Sequence, residues 1–534
     1  MANGKRQMVN KQRGISRLRF FAFSLSLLVL VAAPLFAARL KEISLLELRD
    51  KIKGGWAGQI IGVSYGAPTE FRSKGKIIEG ELPPWGPERL ANAIHQDDLY
   101  VDMTFAKVLD EKGLDATTAD FGEMFKESKY ALWHANLAAR RALRRGVSAD
   151  QSGTPRYNVH TNDIDFQIEA DFIGLMAPGM PQAANKIAER AGRVMNYGDG
   201  IYGGMFVSGM YSAAFFEKDV TKIVEAGLAS IPADSPYGRL IADVLKWYKA
   251  DPNDWRKTWQ LIQDKWDRRD PCPEGALSDF NIDAKLNGAY IALGLLFGKG
   301  DFGKTMEIST RAGQDSDCNP SSAAGILGVM LGYNAIPDVW KAGLDEISDK
   351  KFDYTDFTFP GIVESTEKRA LELIKRTGGR VEGDRVYIAV QKPKPLRLKV
   401  WDDYGSPVEK IESDDPRWKW KGNWTVETGR ERSKTKTAVE TGAEAEISFD
   451  GTGAIIVGPY LPDGGKIEVY LDGKLDRSLD VYSDDPQGYR GSESVWHGFG
   501  LKAGKHTVRL RVLGEPYGES SGSRVGIDSL VVFR

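Results

Sequence analysis

The sequence predicts a multi-domain chain in which an all-α domain is followed by a small antiparallel β-sandwich. Three observations carry this. Helix-start and apolar-stripe signals run through residues 39–390. Short alternating runs bounded by Gly and Asp turns replace them over residues 400–534. Between the two textures, Lys392-Pro393-Lys394-Pro395 interrupts any regular element and puts a boundary near 385–400.

Ahead of the helical region, Lys5, Arg6, Lys11, Arg13, Arg17 and Arg19 precede an apolar run from Phe20 to Phe36, which ends in Ala37 and Ala38. Basic, then apolar, then small is the order of a secretory signal, here residues 1–38. It predicts a secreted or periplasmic protein with no membrane attachment after cleavage. Removing those six positive charges takes the formal net charge from -2 to -8. That balance disfavours nucleic acid as a partner. With only Cys272 and Cys318 present, a disulfide framework is excluded. Five histidines with no HExxH pair argue against zinc hydrolase chemistry.

The helical domain opens on Ser44-Leu45-Leu46-Glu47, a capping box with Ile43 placed as its hydrophobic staple. Leu45, Leu48 and Ile52 form the apolar stripe of the same helix. It continues through Gly54, Gly58, Gly62 and Gly66. This four-residue spacing leaves one face without side chains, so either another helix or a ligand comes close there. Further helices are predicted at 98–112, stopped by Gly113, and at 130–145, 180–195, 284–298 and 321–333. No alternating strands are expected in this domain. In the second domain the runs Ala443–Phe449, Ala454–Val457, Lys466–Leu471, His506–Val512 and Val525–Phe533 read as strands. Asp463-Gly464-Gly465 and Asp472-Gly473 supply turns between them.

Two acidic motifs stand at helix entries: His95-Gln96-Asp97-Asp98, and Gln314-Asp315-Ser316-Asp317-Cys318-Asn319-Pro320. N-capping is one reading, with Asp98 and Asn319 as the caps. It leaves unexplained why each motif carries two carboxylates, since close anions repel unless a cation neutralises them. An oxygen-only ligand set selects magnesium, manganese or calcium. An EF-hand is excluded, because Pro320 and Ile326 stand where that loop needs glycine and glutamate.

Three segments together resemble the ADP-ribosylglycohydrolase family over residues 45–345. Gly54-Gly55-Trp56-Ala57-Gly58 through Gly66-Ala67-Pro68-Thr69-Glu70-Phe71 is similar to the family's glycine-rich first helix and following glutamate. Gln96-Asp97-Asp98 resembles its Thr-Asp-Asp motif, and Gly313-Gln314-Asp315-Ser316-Asp317 its second aspartate motif. The resemblance implies an orthogonal helical bundle and a dinuclear Mg2+ or Mn2+ centre. Its ligands would be Asp97, Asp98, Asp315 and Asp317, with Glu70 catalytic on the substrate side. Gln96 and Cys318 depart from the family's threonines. The Gln96 carbonyl would still ligate, and water or Asn319 would replace the oxygen lost at Cys318, since a thiol is a poor magnesium ligand.

Between the motifs, Asp163 and Asp165 are candidates for holding sugar hydroxyls, as is Asp199 in the polar loop Asn196–Gly200. Glu169 reads as part of a solvated face. The expected function is a secreted metal-dependent hydrolase of N- or O-glycosidic bonds to a furanose, ADP-ribosyl or another pentofuranosyl glycoside. The alternative is a non-catalytic exported carbohydrate-binding protein with a degenerate metal site. The second domain resembles carbohydrate-binding, galactose-binding-like sandwiches, with Trp418, Trp420, Trp424, Tyr482, Tyr489 and Trp496 as stacking candidates. The expected partner is a sugar or glycoside, and the oligomeric state is left open.

Overall fold

The computed structural model describes residues 40–268, 270–428 and 434–534. The segment read as a secretory signal, 1–38, lies outside the described residues.

The first helix, α1 (Leu45–Gly66), begins where expected: the Ser44 hydroxyl accepts from the Glu47 N–H at 3.0 Å. Only this half of the capping box forms. Ser44 also ends a strand, β1 (Leu40–Ser44), which pairs with β3 (Arg385–Ala389) through Ser44↔Arg385. A short β2 (Arg380–Glu382) completes an antiparallel three-stranded sheet in the order β1-β3-β2. The sequence expectation of no strands in this domain is therefore corrected. These strands are three to five residues long, too short for alternation to register, and they are held by burial of Ile43, Val386 and Ile388 against the helices.

Six more helices frame the site: α2 (Asp97–Lys112), α3 (His134–Arg144), α4 (Asp199–Ala214), α5 (Ala284–Gly298), α6 (Cys318–Leu331) and α7 (Phe359–Arg376). Gly113, at φ +82°, stops α2 as its sequence position predicts. All fifteen residues of α5 are buried, so it runs through the core and reads apolar all round.

The glycine face of α1 lies on α6. An ideal Cβ at Gly54 would stand 2.3 Å from the Gly328 carbonyl oxygen. At Gly58 it would stand 2.2 Å from that of Ala324, at Gly62 2.3 Å from Pro320, and at Gly66 2.1 Å from Ser316. Of the two readings left open by the spacing, helix packing holds at Gly54, Gly58 and Gly62, while Gly66 lies against the acidic motif that precedes α6. One side chain per turn is omitted on α1 so that the backbone of α6, and the acidic motif at its start, lies against the helix.

Among the described residues, every α-helix lies between Leu45 and Arg376. The chain then runs without regular structure from 390 to 406 into antiparallel sheets. Strands β4 (Pro407–Glu412), β5 (Lys419–Lys421), β6 (Thr425–Thr428), β7 (Lys434–Ala438), β8 (Glu444–Gly451) and β9 (Gly453–Tyr460) are followed by β10 (Gly465–Leu471), β11 (Lys474–Asp480), β12 (Arg490–Gly498), β13 (Gly504–Pro516), β14 (Val525–Ile527) and β15 (Ser529–Phe533). They form sheets ordered β11-β10-β13-β8-β5, β12-β9-β15-β4 and β14-β7-β6. Ile447, Val508 and Leu510 of the first share a core with Ile456, Leu530 and Val532 of the second, which is the packing of a sandwich. Trp418 and Trp496 belong to that core, as does part of the stacked Trp418–Trp420 pair, whose ring centroids are 5.2 Å apart.

The sandwich is bound to the helical domain through α3. Arg140 meets Asp485, Arg141 and Arg145 meet Asp480, and Arg144 and Arg145 meet Asp484. The Arg140 and Asp485 side chains are closed off from water, at 0% and 1% exposure.

Candidate active site

Both acidic motifs begin helices, yet neither caps one. Gln96 and Asp317 occupy the N-cap positions of α2 and α6, and neither side chain makes a capping bond. Asp98 and Asn319 lie inside their first turns, so the capping reading falls and the carboxylates remain available. The positive end of each helix dipole favours anions there.

The Glu70 loop is fastened to the second motif. The Phe71 N–H donates to the Gln314 carbonyl at 3.0 Å, the Gln314 N–H donates to that of Ser73 at 2.9 Å, and the Thr69 and Ser316 hydroxyls are hydrogen-bonded at 2.8 Å. Gly313, at φ +81°, allows this approach: a Cβ would stand 2.6 Å from the Ser73 carbonyl oxygen. Gln314 completes the clamp, its side chain accepting from the Asn281 N–H and donating to the Asp279 carbonyl. The consequence is a cavity of about 380 Å³ lined by Glu70, Gln96, Asp97, Asp315 and Cys318, brought from three distant parts of the chain.

The site is electrostatically costly as it stands. Burial pushes Asp97 up, and burial with the neighbouring Asp97 and Asp317 charges pushes Asp98 up. Burial raises Asp315 to about 7, and burial followed by the Asp315 charge raises Asp317. The Asp98 Oδ1, both Asp315 carboxylate oxygens and the Asp317 Oδ1 are buried without a hydrogen-bond partner, as is the Asn319 Oδ1. Buried carboxylate oxygens facing one another without donors suit hard divalent cations. Ligand atoms of Asp315, Asp317 and Cys318 all lie within 4.8 Å of one another.

Glu70 keeps one side open to water. The surrounding protein, with the Asp317 and Asp97 charges added, pushes its carboxyl up to about 8. It therefore holds a proton near neutral pH.

The other sequence candidates sit elsewhere. Asp165 is buried and accepts from the Ala135 and Asn136 N–H groups at 3.3 and 2.9 Å, capping the start of α3. Asp199 is buried at the first turn of α4 and does not line the cavity. Asp163 is fully buried and bonded to the His160 imidazole at 2.9 Å. All three are buried and none lines the cavity, so the structure does not bring these candidates for sugar contacts to it. Glu169 is not on a solvated face but fully buried, accepting from the Asn136 amide. The cavity's ring-bearing walls, Tyr100, Trp133, His134 and Phe280, escaped sequence reasoning because they come from separate parts of the chain with no shared periodicity.

A family model described as ADP-ribosylglycohydrolase matches residues 44–376. The chain is 30% identical over 104 residues to an A type blood alpha-D-galactosamine galactosaminidase of Flavonifractor plautii. The match covers 19% of this chain and 9% of that enzyme, so the chain spans under a tenth of the length of this curated relative. Among solved structures, an ADP-ribosylglycohydrolase-related protein complex aligns at 19% identity with TM-score 0.41, covering 62% of this chain and 99% of that one. The CBM36-1 domain of a xylanase from a Trinervitermes trinervoides hindgut metagenome aligns at 11% identity with TM-score 0.16, covering 23% and 94%.

Proposed function

This chain belongs to the ADP-ribosylglycohydrolase family, and from that premise we propose that it is an exported hydrolase of N- or O-glycosidic bonds to a furanose, working with two Mg2+ or Mn2+ ions. The single observation that carries the reading is the convergence of Glu70, Asp97 and Asp315 on one cavity above buried, unpartnered carboxylate oxygens.

Asp97, Asp98, Asp315 and Asp317 would hold the ions, with oxygens from Gln96 and Asn319. Bound there, the ions would neutralise the clustered charge and orient vicinal sugar hydroxyls and a water. Glu70 lines the cavity beside the aspartates, so it serves as general acid toward the leaving group and as base afterwards. Trp133 and Phe280 offer faces for the ring of the substrate or its leaving group. We assign the sandwich a carbohydrate-binding role, with the partly buried Trp420 and Trp424 as its aromatic surface, and residues 1–38 the role of an export signal.

The test is hydrolysis of an ADP-ribosylated peptide and of pentofuranosyl glycosides by the purified protein in Mn2+. Metal-dependent release from at least one, lost in Glu70→Gln, is expected. No release from either with metal bound would favour a sugar-capturing protein instead.

A further inference from the structure

Two of the five histidines and one of the two cysteines meet a carboxylate in the wall behind the cavity. The ligand atoms of His134, His160, Asp163 and Cys272 all lie within 4.8 Å of one another. His160 Nδ1 is 2.9 Å from Asp163 Oδ2, and His134 Nδ1 is 3.8 Å from the same oxygen. We propose that these four residues form a second metal site, one that takes a single Zn2+ or a similar borderline transition-metal ion in closed, four-coordinate form.

The donor set separates this site from the aspartate cluster. Two imidazole nitrogens, a thiolate and a carboxylate select zinc-like ions over magnesium or manganese. Bonds near 2.0–2.3 Å in a tetrahedron require ligand atoms about 3.3–3.8 Å apart, and the observed separations bracket that range. Three further observations point to a ligand. Asp163 is fully buried and its Oδ1 has no partner. The Gly275 N–H donates to Cys272 Sγ at 3.3 Å, a bond that stabilises a thiolate. His134 is the one ligand that reaches the cavity, which gives an ion its route in.

The four positions are 134, 160, 163 and 272, with none of the compact spacing that makes a zinc motif legible. The site carries no open coordination position, so its role is structural: it fixes the His134 ring in the cavity wall and ties the 270–283 loop to the start of α3. This does not depend on the hydrolase reading.

Co2+ added to chelator-treated full-length protein tests it, because a thiolate-to-cobalt absorption can arise from only two thiols. The expected result is one tetrahedral, thiolate-ligated Co2+ per chain, displaced by Zn2+, unchanged in Cys318→Ser and lost in Cys272→Ser. His160→Gln, which removes a ligand without touching a thiol, is expected to abolish the same band if Cys272→Ser does not fold. Zinc-edge X-ray absorption on the wild type should then show one sulfur at about 2.3 Å. Absence of sulfur ligation in the wild type overturns the proposal. So does a band that survives Cys272→Ser and disappears in Cys318→Ser, which would put the sulfur at the aspartate cavity.

Discussion

Arg140 donates from Nη2 to Asp485 Oδ2 at 3.0 Å with both side chains out of contact with water, and the same oxygen accepts the Leu132 N–H at 3.2 Å. A residue of the sandwich thus holds the strand of chain that leads directly into Trp133 and His134 in the cavity wall. Arg490 adds a second hold, its guanidinium 5.3 Å from the Trp133 ring centre. The sandwich is a structural partner of the site as well as an appended module.

Breaking this pair leaves a buried guanidinium uncompensated, so Asp485→Ala is expected to lose about 3–5 kcal/mol of stability. Arg140→Met combined with Asp485→Leu should recover most of it, because no unpaired charge remains. Urea unfolding of the single and double variants checks both. Equal losses in the two would show that packing, not charge, holds the joint.

Glu70→Gln keeps the size of the side chain and removes its proton chemistry. We expect kcat to fall by about 10²- to 10⁴-fold, with Mn2+ affinity, measured by calorimetry, unchanged. Loss of metal binding together with activity would instead make Glu70 a ligand.

The buried carboxylates of Asp98, Asp315 and Asp317 predict that divalent ions stabilise the fold. At a free concentration 100 times Kd, each bound Mn2+ should add about 2.7 kcal/mol, and Asp315→Asn should abolish most of the gain. Cys318→Thr exchanges a soft sulfur on the cavity wall for an oxygen, so it should strengthen Mg2+ binding relative to Mn2+. Thermal scans with each ion report both effects.

The α1 glycines show how much was legible in advance. Their spacing announced a close approach, and the acidic motifs announced the charge, but no local signal said that the partner was α6, since that contact depends on the whole bundle. The same limit explains Asp163, Asp165 and Asp199. Their polarity is visible in sequence, whereas their burial against His160, the start of α3 and the α4 entry is set by tertiary packing. Gly62→Ala tests the register directly. Its Cβ would stand 2.3 Å from the Pro320 carbonyl oxygen, forcing α6 away at a cost of about 1–3 kcal/mol or more. Because the displaced backbone begins at the aspartates, Mn2+ affinity should fall as well. An unaltered affinity at reduced stability would mean that the metal motif is positioned by the Glu70 loop alone.

His497 gives the domain joint a pH dependence. Its Nε2–H donates to the Pro155 carbonyl at 3.0 Å and its Nδ1 lies 3.0 Å from the Ser494 hydroxyl. Burial, with the Arg477 charge added, holds the imidazole at about 3, against an ordinary value of 6.5. Between those values the unfolded chain binds a proton that the folded chain refuses, so stability rises with pH across the window and is lost as pH falls through it, by up to about 1.4 kcal/mol per pH unit. Above 6.5 the group has no effect. Buried acids such as Asp315, raised to about 7, act with the opposite sign, so the contribution is isolated as the difference between wild type and His497→Gln. That difference in unfolding free energy should be greatest near neutral pH and shrink steadily toward about pH 4. Parallel curves for the two proteins would show that His497 accepts its proton in the folded state, and that burial does not hold the ring neutral.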